Sequence, residues 1–285
     1  MFKGSFVAIV TPMFKDGSID YKSLHNLIDF HCHNGSDGIV IVGTSGESPT
    51  ITFDEHTNLI KETINYTNNR IPVIAGTGAN STEEAIYLTK SAKDLGANAA
   101  LIVAPYYNKP PQEGIYQHYK KINDEVKIPQ ILYNVPTRTC SDISNDTVIR
   151  LSKLENIIGI KDATGDLSRI KFLKNKVDDK FLFLSGDDAT SYDFLINGGD
   201  GVISVTANIK PKEMSRMCAL IHENQYSEAK KINETLDELH SILFVESNPI
   251  PVKYLLNKMG MIDRGIRLPL IELSPKFYKI FDKYV

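Results

Sequence analysis

Eight apolar runs recur along the chain, and each is followed by a turn and then by a segment with the apolar spacing of a helix. The runs are rich in Val, Ile and Leu, and they are continuous rather than alternating, which is typical of parallel strands covered on both faces. Their mean spacing of roughly 28 residues matches a strand–helix repeat. The runs cover residues 6–12, 38–44, 72–78, 99–107, 129–136, 157–163, 181–188 and 201–208.

The segments between the runs carry the sequence signals of helices. One of them begins with Ser81, has Glu84 three residues later and ends at Gly96, which predicts a capping box and a glycine stop. Residues 23–35 and 145–156 have similar spacing. Because strands and helices alternate, the pattern indicates an α/β fold, and eight repeats indicate a closed TIM (β/α)8 barrel.

The strand pattern stops after the eighth run, and three helical segments follow it. We expect residues 211–224 to complete the barrel, and residues 226–244 and 248–260 to form a C-terminal helical extension. The predicted division is therefore a barrel domain, residues 1–224, and a C-terminal helical domain, residues 225–285. Barrels of this kind often reach about 200–250 residues as one domain, which suits this length.

Composition and charge exclude some classes of function. Hydrophobic residues make up 42% and charged residues 24% of the chain, as in ordinary soluble proteins. The 32 basic and 35 acidic residues are mixed, so the net charge of −3 and the lack of a basic stripe make nucleic acid an unexpected partner.

Localisation signals are not expected either. Pro12 and Asp16 cut short the apolar start of the chain, so we predict no signal peptide. No run approaches the ~20 apolar residues of a membrane span. The three scattered cysteines, Cys32, Cys140 and Cys218, fit reduced thiols in the cytoplasm.

Candidate chemistry is expected where the strands end, because active sites of TIM barrels lie at the carboxyl ends of the strands. Lys161 ends the sixth run, "IIGIKDATGD", and Tyr133 ends the fifth. A buried amine favours its neutral form, which attacks carbonyl groups to give a Schiff base. A solvated strand terminus is the alternative for Lys161, and a packed rim aromatic is the alternative for Tyr133.

Two further motifs have residue types that are found at ion-binding sites. The glycine-rich "GTSGES", residues 43–48, offers backbone N–H groups and hydroxyls to an anion, although it also fits an ordinary tight turn. His31 and His33 would point to different faces of a helix, so they are not expected to share a metal ion. No other cluster has metal-ligand spacing.

Eight segments in order along the chain resemble the dihydrodipicolinate synthase family, also called 4-hydroxy-tetrahydrodipicolinate synthases, within the pyruvate-dependent class I aldolases. Each segment is modest evidence alone, but together they span essentially the whole chain. They are "GTSGES", "AGTGAN", "APYYNKP", "YNVPTRT", "GIKDATGD", "LSGDD", "GVISVTAN" and "ESNPIPVK".

The resemblance implies a reaction. Pyruvate would form an imine with Lys161, and the derived enamine would attack L-aspartate 4-semialdehyde to give 4-hydroxy-tetrahydrodipicolinate. This step serves lysine and diaminopimelate biosynthesis, and it uses no metal or organic cofactor. Tyr133, Thr44 and Tyr107 would form a proton relay, with Tyr107 reaching in from a neighbouring subunit of a homotetramer built as a dimer of dimers.

The resemblance also assigns substrate contacts. Thr44 and Ser45 would hold the pyruvate carboxylate, and Arg138 would bind the carboxylate of the second substrate. Gly186 and Ile203 would line the site. Because a carboxylate near Lys161 would favour the charged amine, Asp162 is expected to point away from it.

Feedback inhibition by L-lysine is a further expectation. Lysine-sensitive relatives carry histidine at the position of Phe53, so we expect inhibition to persist here at a higher lysine concentration. Glu84 would bind the effector's ammonium group, unless its capping of the helix at Ser81 occupies it fully. The positions implied for the effector site are Ser48, Pro49, His56, Asn80, Glu84 and Tyr106.

Two alternatives stay open at this point. One is an N-acetylneuraminate lyase or a keto-deoxy sugar acid aldolase, against which Arg138 argues because its fork suits a carboxylate. The other is a barrel that only binds a small molecule, against which the joint presence of the four proposed catalytic residues argues.

Overall fold

The computed structural model describes residues 2–285, and within this range eight parallel strands close into a barrel in which each strand pairs with the next and the eighth with the first. The TIM-barrel prediction is therefore confirmed. The strands are β1 Gly4–Ala8, β2 Gly38–Ile41, β3 Val73–Gly76, β4 Ala99–Val103, β5 Gln130–Asn134, β6 Ile157–Asp162, β7 Leu182–Ser185 and β8 Gly201–Ser204.

The strands are shorter than the apolar runs, mainly at their carboxyl ends. β1 begins at Gly4 and ends at Ala8, so the predicted strand over residues 6–12 was wrong at both ends. The residues after Ala8 remain buried although they leave the sheet, which explains their apolar character. At most strands the same shortening releases the last residues of the run into loops at the mouth of the barrel.

Helices follow the strands and cover the outside of the barrel. The three segments predicted after the eighth run are helical, as expected. The helices are α1 Tyr21–His33, α2 Phe53–Thr67, α3 Thr82–Asp94, α4 Gln112–Glu125, α5 Pro136–Thr139, α6 Asn145–Leu151, α7 Leu167–Leu173, α8 Ser191–Ile196, α9 Pro211–His222, α10 Tyr226–Ile242 and α11 Ile250–Lys258, with 3-10 turns at Ser48–Thr50, Thr206–Asn208 and Pro275–Tyr284.

The caps of the helices differ from the sequence prediction in one informative place. At α2, Thr52 and Glu55 form a complete capping box. At α3, the Ser81 hydroxyl accepts a hydrogen bond from the Glu84 N–H at 3.4 Å, but the Glu84 carboxylate gives no return bond within residues 2–285. The predicted capping box of α3 is therefore only half formed, and the Glu84 carboxylate is not used by the cap.

One predicted helix is too long. The segment over residues 145–156 is helical only to Leu151, and a turn follows. Asn156 is held outside the helix by Asn123 on α4, whose side-chain oxygen accepts the Asn156 N–H at 3.0 Å. The two asparagines are 33 residues apart in the chain, so helical spacing could not reveal this contact.

The strand residues are almost all buried, as expected for strands covered on both faces. One apolar cluster fills the barrel interior, from Phe6 and Val40 round to Leu184 and Ile203. A larger cluster outside the barrel joins Leu24 and its neighbours to residues of α10 and α11. The domain boundary at residues 224 and 225 stays a prediction.

No helix within the described residues is long and apolar enough to cross a membrane.

Two buried histidines are expected to lower the stability of the folded protein at low pH. Burial lowers the pKa of His31 from 6.5 to about 3 and that of His118 to about 4. Each ring is bonded to a hydroxyl through Nδ1: His31 to Ser36 at 3.0 Å, and His118 to Thr82 at 2.9 Å. Both imidazoles are therefore neutral in the folded protein at neutral pH.

At these two histidines the unfolded chain binds more protons than the folded one between the folded pKa values and about 6.5, so their contribution to stability should fall as pH falls through this range. Each histidine contributes a slope of at most about 1.4 kcal/mol per pH unit. We predict that His31→Asn reduces the loss of unfolding free energy between about pH 7.5 and about pH 4.5, measured by urea denaturation. The exposed His33, on the same helix, offers the control: His33→Asn should leave the loss unchanged, and an equal effect of both variants would contradict this prediction.

Candidate active site

A cavity of about 430 Å³ opens at the carboxyl ends of the strands. It contains every residue that the sequence analysis placed around the imine and the substrate carboxylates, with the exception of Tyr107. The lining includes Thr44, Ser45, Tyr133, Arg138, Lys161, Gly186 and Ile203, together with Phe244, Ser247 and Asn248 from the C-terminal segment.

Lys161 lies on β6 directly beside Tyr133 on β5, because the two residues are paired in the strand register. The lysine is only 5% exposed, and its Nζ lies 4.2 Å from the centroid of the Tyr133 ring. Lys161 forms no ion pair with any of residues 2–285. A lysine in a polar-rimmed cavity without a carboxylate partner is suited to act as a nucleophile towards a carbonyl.

The neighbouring carboxylate is directed elsewhere, as predicted. Asp162 accepts a hydrogen bond from Arg169 Nε at 2.8 Å and two from Thr164, so it is engaged outside the barrel. Successive residues of a strand point to opposite faces, which places Lys161 inside and Asp162 outside.

Gly186 leaves the room that the lysine side chain occupies. A Cβ on this residue would lie 2.7 Å from Lys161 Cε and 2.8 Å from Ala163 Cβ. Any side chain here would displace the lysine, so a glycine is required at this strand end.

The loop that carries Thr44 and Ser45 is strained at both ends. Val42 and Glu47 have positive φ angles of 51° and 59°. Such a conformation costs roughly 1–3 kcal/mol at a residue with a side chain, and it is found mostly at functional sites. The surroundings must therefore hold this loop in place.

Asn248 connects two parts of the cavity wall. Its side-chain Nδ2 donates to Ser45 Oγ at 3.0 Å, and its backbone carbonyl accepts from Arg138 Nη2 at 3.4 Å. Sequence reasoning did not assign roles to Asn248, Ser247 or Phe244. The available signal was the segment "ESNPIPVK", which lies far from the strand ends in the chain.

Tyr107 lies outside this cavity. It is 89% exposed and has a positive φ of 72°. Its backbone N–H donates to the Thr139 carbonyl at 3.3 Å, which holds the loop after β4 against the end of α5. Within one chain, therefore, Tyr107 does not contact the Lys161 cavity.

A second cavity, of about 240 Å³, adjoins the first. It is lined by five of the six positions predicted for an effector, namely Ser48, Pro49, His56, Glu84 and Tyr106, and by Phe53. Asn80 is not part of its lining; the Asn80 carbonyl accepts from Asn108 Nδ2 at 2.9 Å.

Two polar side chains of the second cavity, His56 and Tyr106, have shifted pKa values. Burial lowers the pKa of His56, whose Nε2 bonds the Gly76 carbonyl at 2.8 Å. Burial raises the pKa of Tyr106, and the nearby Glu84 carboxylate adds to the rise. The cavity thus presents a neutral imidazole, a neutral phenol and an acidic side chain, which suits a ligand with an ammonium group.

The two cavities share a wall. Gly43, Thr44, Leu101 and Tyr133 line both of them. A ligand that moved Thr44 or Tyr133 from the second cavity would therefore alter the surroundings of Lys161 directly.

No group of three or more His, Cys, Asp or Glu side chains among residues 2–285 could hold a metal ion. His31 is buried, whereas His33 is exposed, so the two do not share a site.

Known proteins are similar to this chain over its whole length. The family model described as "Dihydrodipicolinate synthetase family" matches residues 1–285. A relative from Nitrosomonas eutropha, named 4-hydroxy-tetrahydrodipicolinate synthase, is 55% identical over 283 residues, covering 99% of this chain and 97% of its own.

Solved structures agree with this match. The dihydrodipicolinate synthase of Acinetobacter baumannii, crystallised with pyruvate, has a TM-score of 0.98 and 56% identity, with 100% of this chain and 98% of that chain covered. The enzyme from Cyanidioschyzon merolae, crystallised with lysine bound, has a TM-score of 0.96 and 36% identity, with 99% and 97% covered. With the barrel, the lysine-bearing cavity and these similarities in agreement, the chain belongs to the dihydrodipicolinate synthetase family.

Proposed function

We propose that this protein condenses pyruvate with L-aspartate 4-semialdehyde to form 4-hydroxy-tetrahydrodipicolinate, in the biosynthesis of diaminopimelate and lysine. The observation that carries the proposal is the buried Lys161 amine, which lies beside Tyr133 and has no ion-pair partner among the described residues. The named relatives and the pyruvate complex of a similar structure support the same reaction.

The chemistry begins with attack of the Lys161 amine on the keto carbon of pyruvate. Water leaves to give an imine, and loss of a methyl proton gives an enamine. The enamine carbon then attacks the aldehyde of the second substrate. The amine of that substrate closes the ring on the imine carbon and displaces Lys161, which returns the enzyme to its starting state.

Protons in this sequence pass through hydroxyl groups. Tyr133 and Thr44 lie in the cavity with Lys161, and Tyr107 completes the relay from a second copy of the chain in a homotetramer built as a dimer of dimers. Tyr107 is 89% exposed and does not line the Lys161 cavity of the same chain, which supports this assignment. No metal or organic cofactor takes part in our proposal.

The carboxylates of the two substrates bind at separate places. Thr44 and Ser45 hold the pyruvate carboxylate, where hydroxyls and loop N–H groups meet. Arg138 binds the carboxylate of the second substrate at the mouth of the cavity, and Gly186 and Ile203 line the space around the imine. A sugar-derived aldehyde, the alternative second substrate, is not favoured, because the similar proteins are named 4-hydroxy-tetrahydrodipicolinate synthase.

Lysine is the proposed effector, bound in the second cavity. Glu84, free of the predicted return bond to its cap, would pair with the effector's ammonium group, and the lysine complex of a similar structure supports this choice. Phe53 offers no polar contact, so inhibition would be weaker by about 0.5–1.5 kcal/mol, at most roughly tenfold in lysine concentration. The enzyme would act in the cytoplasm, where its free cysteines stay reduced.

Reduction with borohydride in the presence of pyruvate should add a permanent mass to one peptide, the one that contains Lys161. Lys161→Ala should lose this label and nearly all activity, while circular dichroism shows an intact fold. Lys253 is the matched control because it is equally buried, at 4% exposed, but it is ion-paired. Labelling of Lys253, or of no lysine, would contradict the proposal.

Arg138→Ala should weaken use of L-aspartate 4-semialdehyde by roughly 10- to 100-fold in kcat/KM, since a charged hydrogen bond contributes about 1.5–3 kcal/mol. Imine formation with pyruvate, followed by borohydride trapping, should change little. Arg150→Ala, which removes an exposed arginine of α6, serves as the control. Equal losses in both steps would show that Arg138 organises the whole cavity instead.

Initial rates should fall as lysine is titrated, and Glu84→Ala should abolish this fall without much change in the uninhibited rate. The preceding residue on the same helix provides the comparison: Glu83→Ala, which changes an exposed carboxylate, should keep the inhibition. Full activity of the unaltered protein at millimolar lysine would refute the effector site.

A further inference from the structure

The loop from Val42 to Glu47 is held from outside the barrel. Both end residues have positive φ, a conformation that persists only where neighbouring groups impose it. The turn itself closes through backbone bonds, in which the Glu47 N–H donates to the Thr44 carbonyl at 3.1 Å. Any movement of Glu47 is therefore passed to Thr44 and Ser45.

Glu47 is the residue of this loop that contacts α11 and the chain beyond it. Its side chain is 1% exposed, and one carboxylate oxygen accepts from Lys253 Nζ on α11. The other oxygen accepts the backbone N–H of Arg267 at 3.1 Å. Both oxygens are engaged away from the cavity, so Glu47 does not contact the substrate.

Lys253 and Asn248 act on the loop from the same short stretch of chain. The Lys253 N–H donates to the Pro249 carbonyl at 3.0 Å, so the first turn of α11 fixes the two residues relative to each other. Asn248 bonds the Ser45 hydroxyl while Lys253 bonds Glu47. Two alternate residues of the loop are thus fastened to one helix start.

Stability alone gives little reason for this ion pair. Both charges are taken out of water, and burial lowers the pKa of Lys253 although the Glu47 carboxylate opposes the shift. Buried ion pairs are often replaced by apolar residues of similar volume with no loss of stability. Their best-attested use is to fix one arrangement among several.

We propose that Glu47 and Lys253 are positioning residues, whose ion pair fixes the loop so that the hydroxyls of Thr44 and Ser45 face the carboxylate of pyruvate. This inference rests on the function proposed above, because it assumes that pyruvate binds there.

The test compares Glu47→Gln, Lys253→Met and the double variant with the unaltered full-length protein. Loss of ordered carboxylate contacts weakens the binding of pyruvate, which raises KM, and displacement of Thr44 from the proton relay lowers kcat as well. We expect KM for pyruvate to rise about tenfold or more in each variant that folds, together with a fall in kcat per folded enzyme. The pyruvate concentration needed for half-maximal borohydride trapping on Lys161 should rise in parallel.

The double variant distinguishes a role in positioning the loop from a role in stability, because it leaves no unpaired buried charge. Its melting temperature should return towards that of the unaltered protein while KM for pyruvate stays raised. Leu236→Ala, in the core of α10, is the control: it should lower the melting temperature without changing KM.

Three outcomes would overturn the inference. An unaltered KM in the double variant would show that the pair is not needed for position. A fall in activity that follows the folded fraction, with KM constant, would show a structural role only. Failure of the unaltered protein to trap pyruvate on Lys161 would instead refute the proposed function, and this inference would fall with it.

Discussion

The absence of an ionic partner for Lys161 among the described residues is the constraint around which the site is organised. The chain buries two lysines to the same degree, Lys161 at 5% and Lys253 at 4% exposure. Lys253 is ion-paired with Glu47, whereas Lys161 lies over the Tyr133 ring in a cavity lined partly by hydroxyl groups and has no ion-pair partner among the described residues. The buried Lys253 therefore forms a fixed ion pair, whereas the buried Lys161 keeps an amine that is available to a carbonyl group.

The barrel supplies this difference through strand geometry. Alternation along β6 sends Asp162 outward to Arg169 and Lys161 inward to Tyr133. The close packing at Gly186 then restricts where the lysine side chain can lie. A shift of one residue in this register would reverse both directions and would bring the carboxylate into the cavity.

The two cavities and the C-terminal segment meet at one loop. Thr44 lies in the wall between the cavities, and Glu47, three residues later, is held by α11 and by the backbone of Arg267. The proposed effector and the proposed substrate would thus both contact the strained loop that carries Thr44. Coupling between them requires only that each ligand favours a different arrangement of this loop.

The sequence by itself determined the barrel, its eight strands and the residues at their ends, because continuous apolar runs and helical spacing are local signals. The resemblance to a known family pointed to Lys161, Tyr133, Thr44 and Arg138 as a set, and all four line one cavity. Only the tertiary structure showed that Asn248 and Lys253 grip the loop, that Glu84 is left free by its cap, and that β1 ends at Ala8. These features depend on contacts between residues distant in the chain or on the exact path of the backbone, and no periodicity in a sequence records either one.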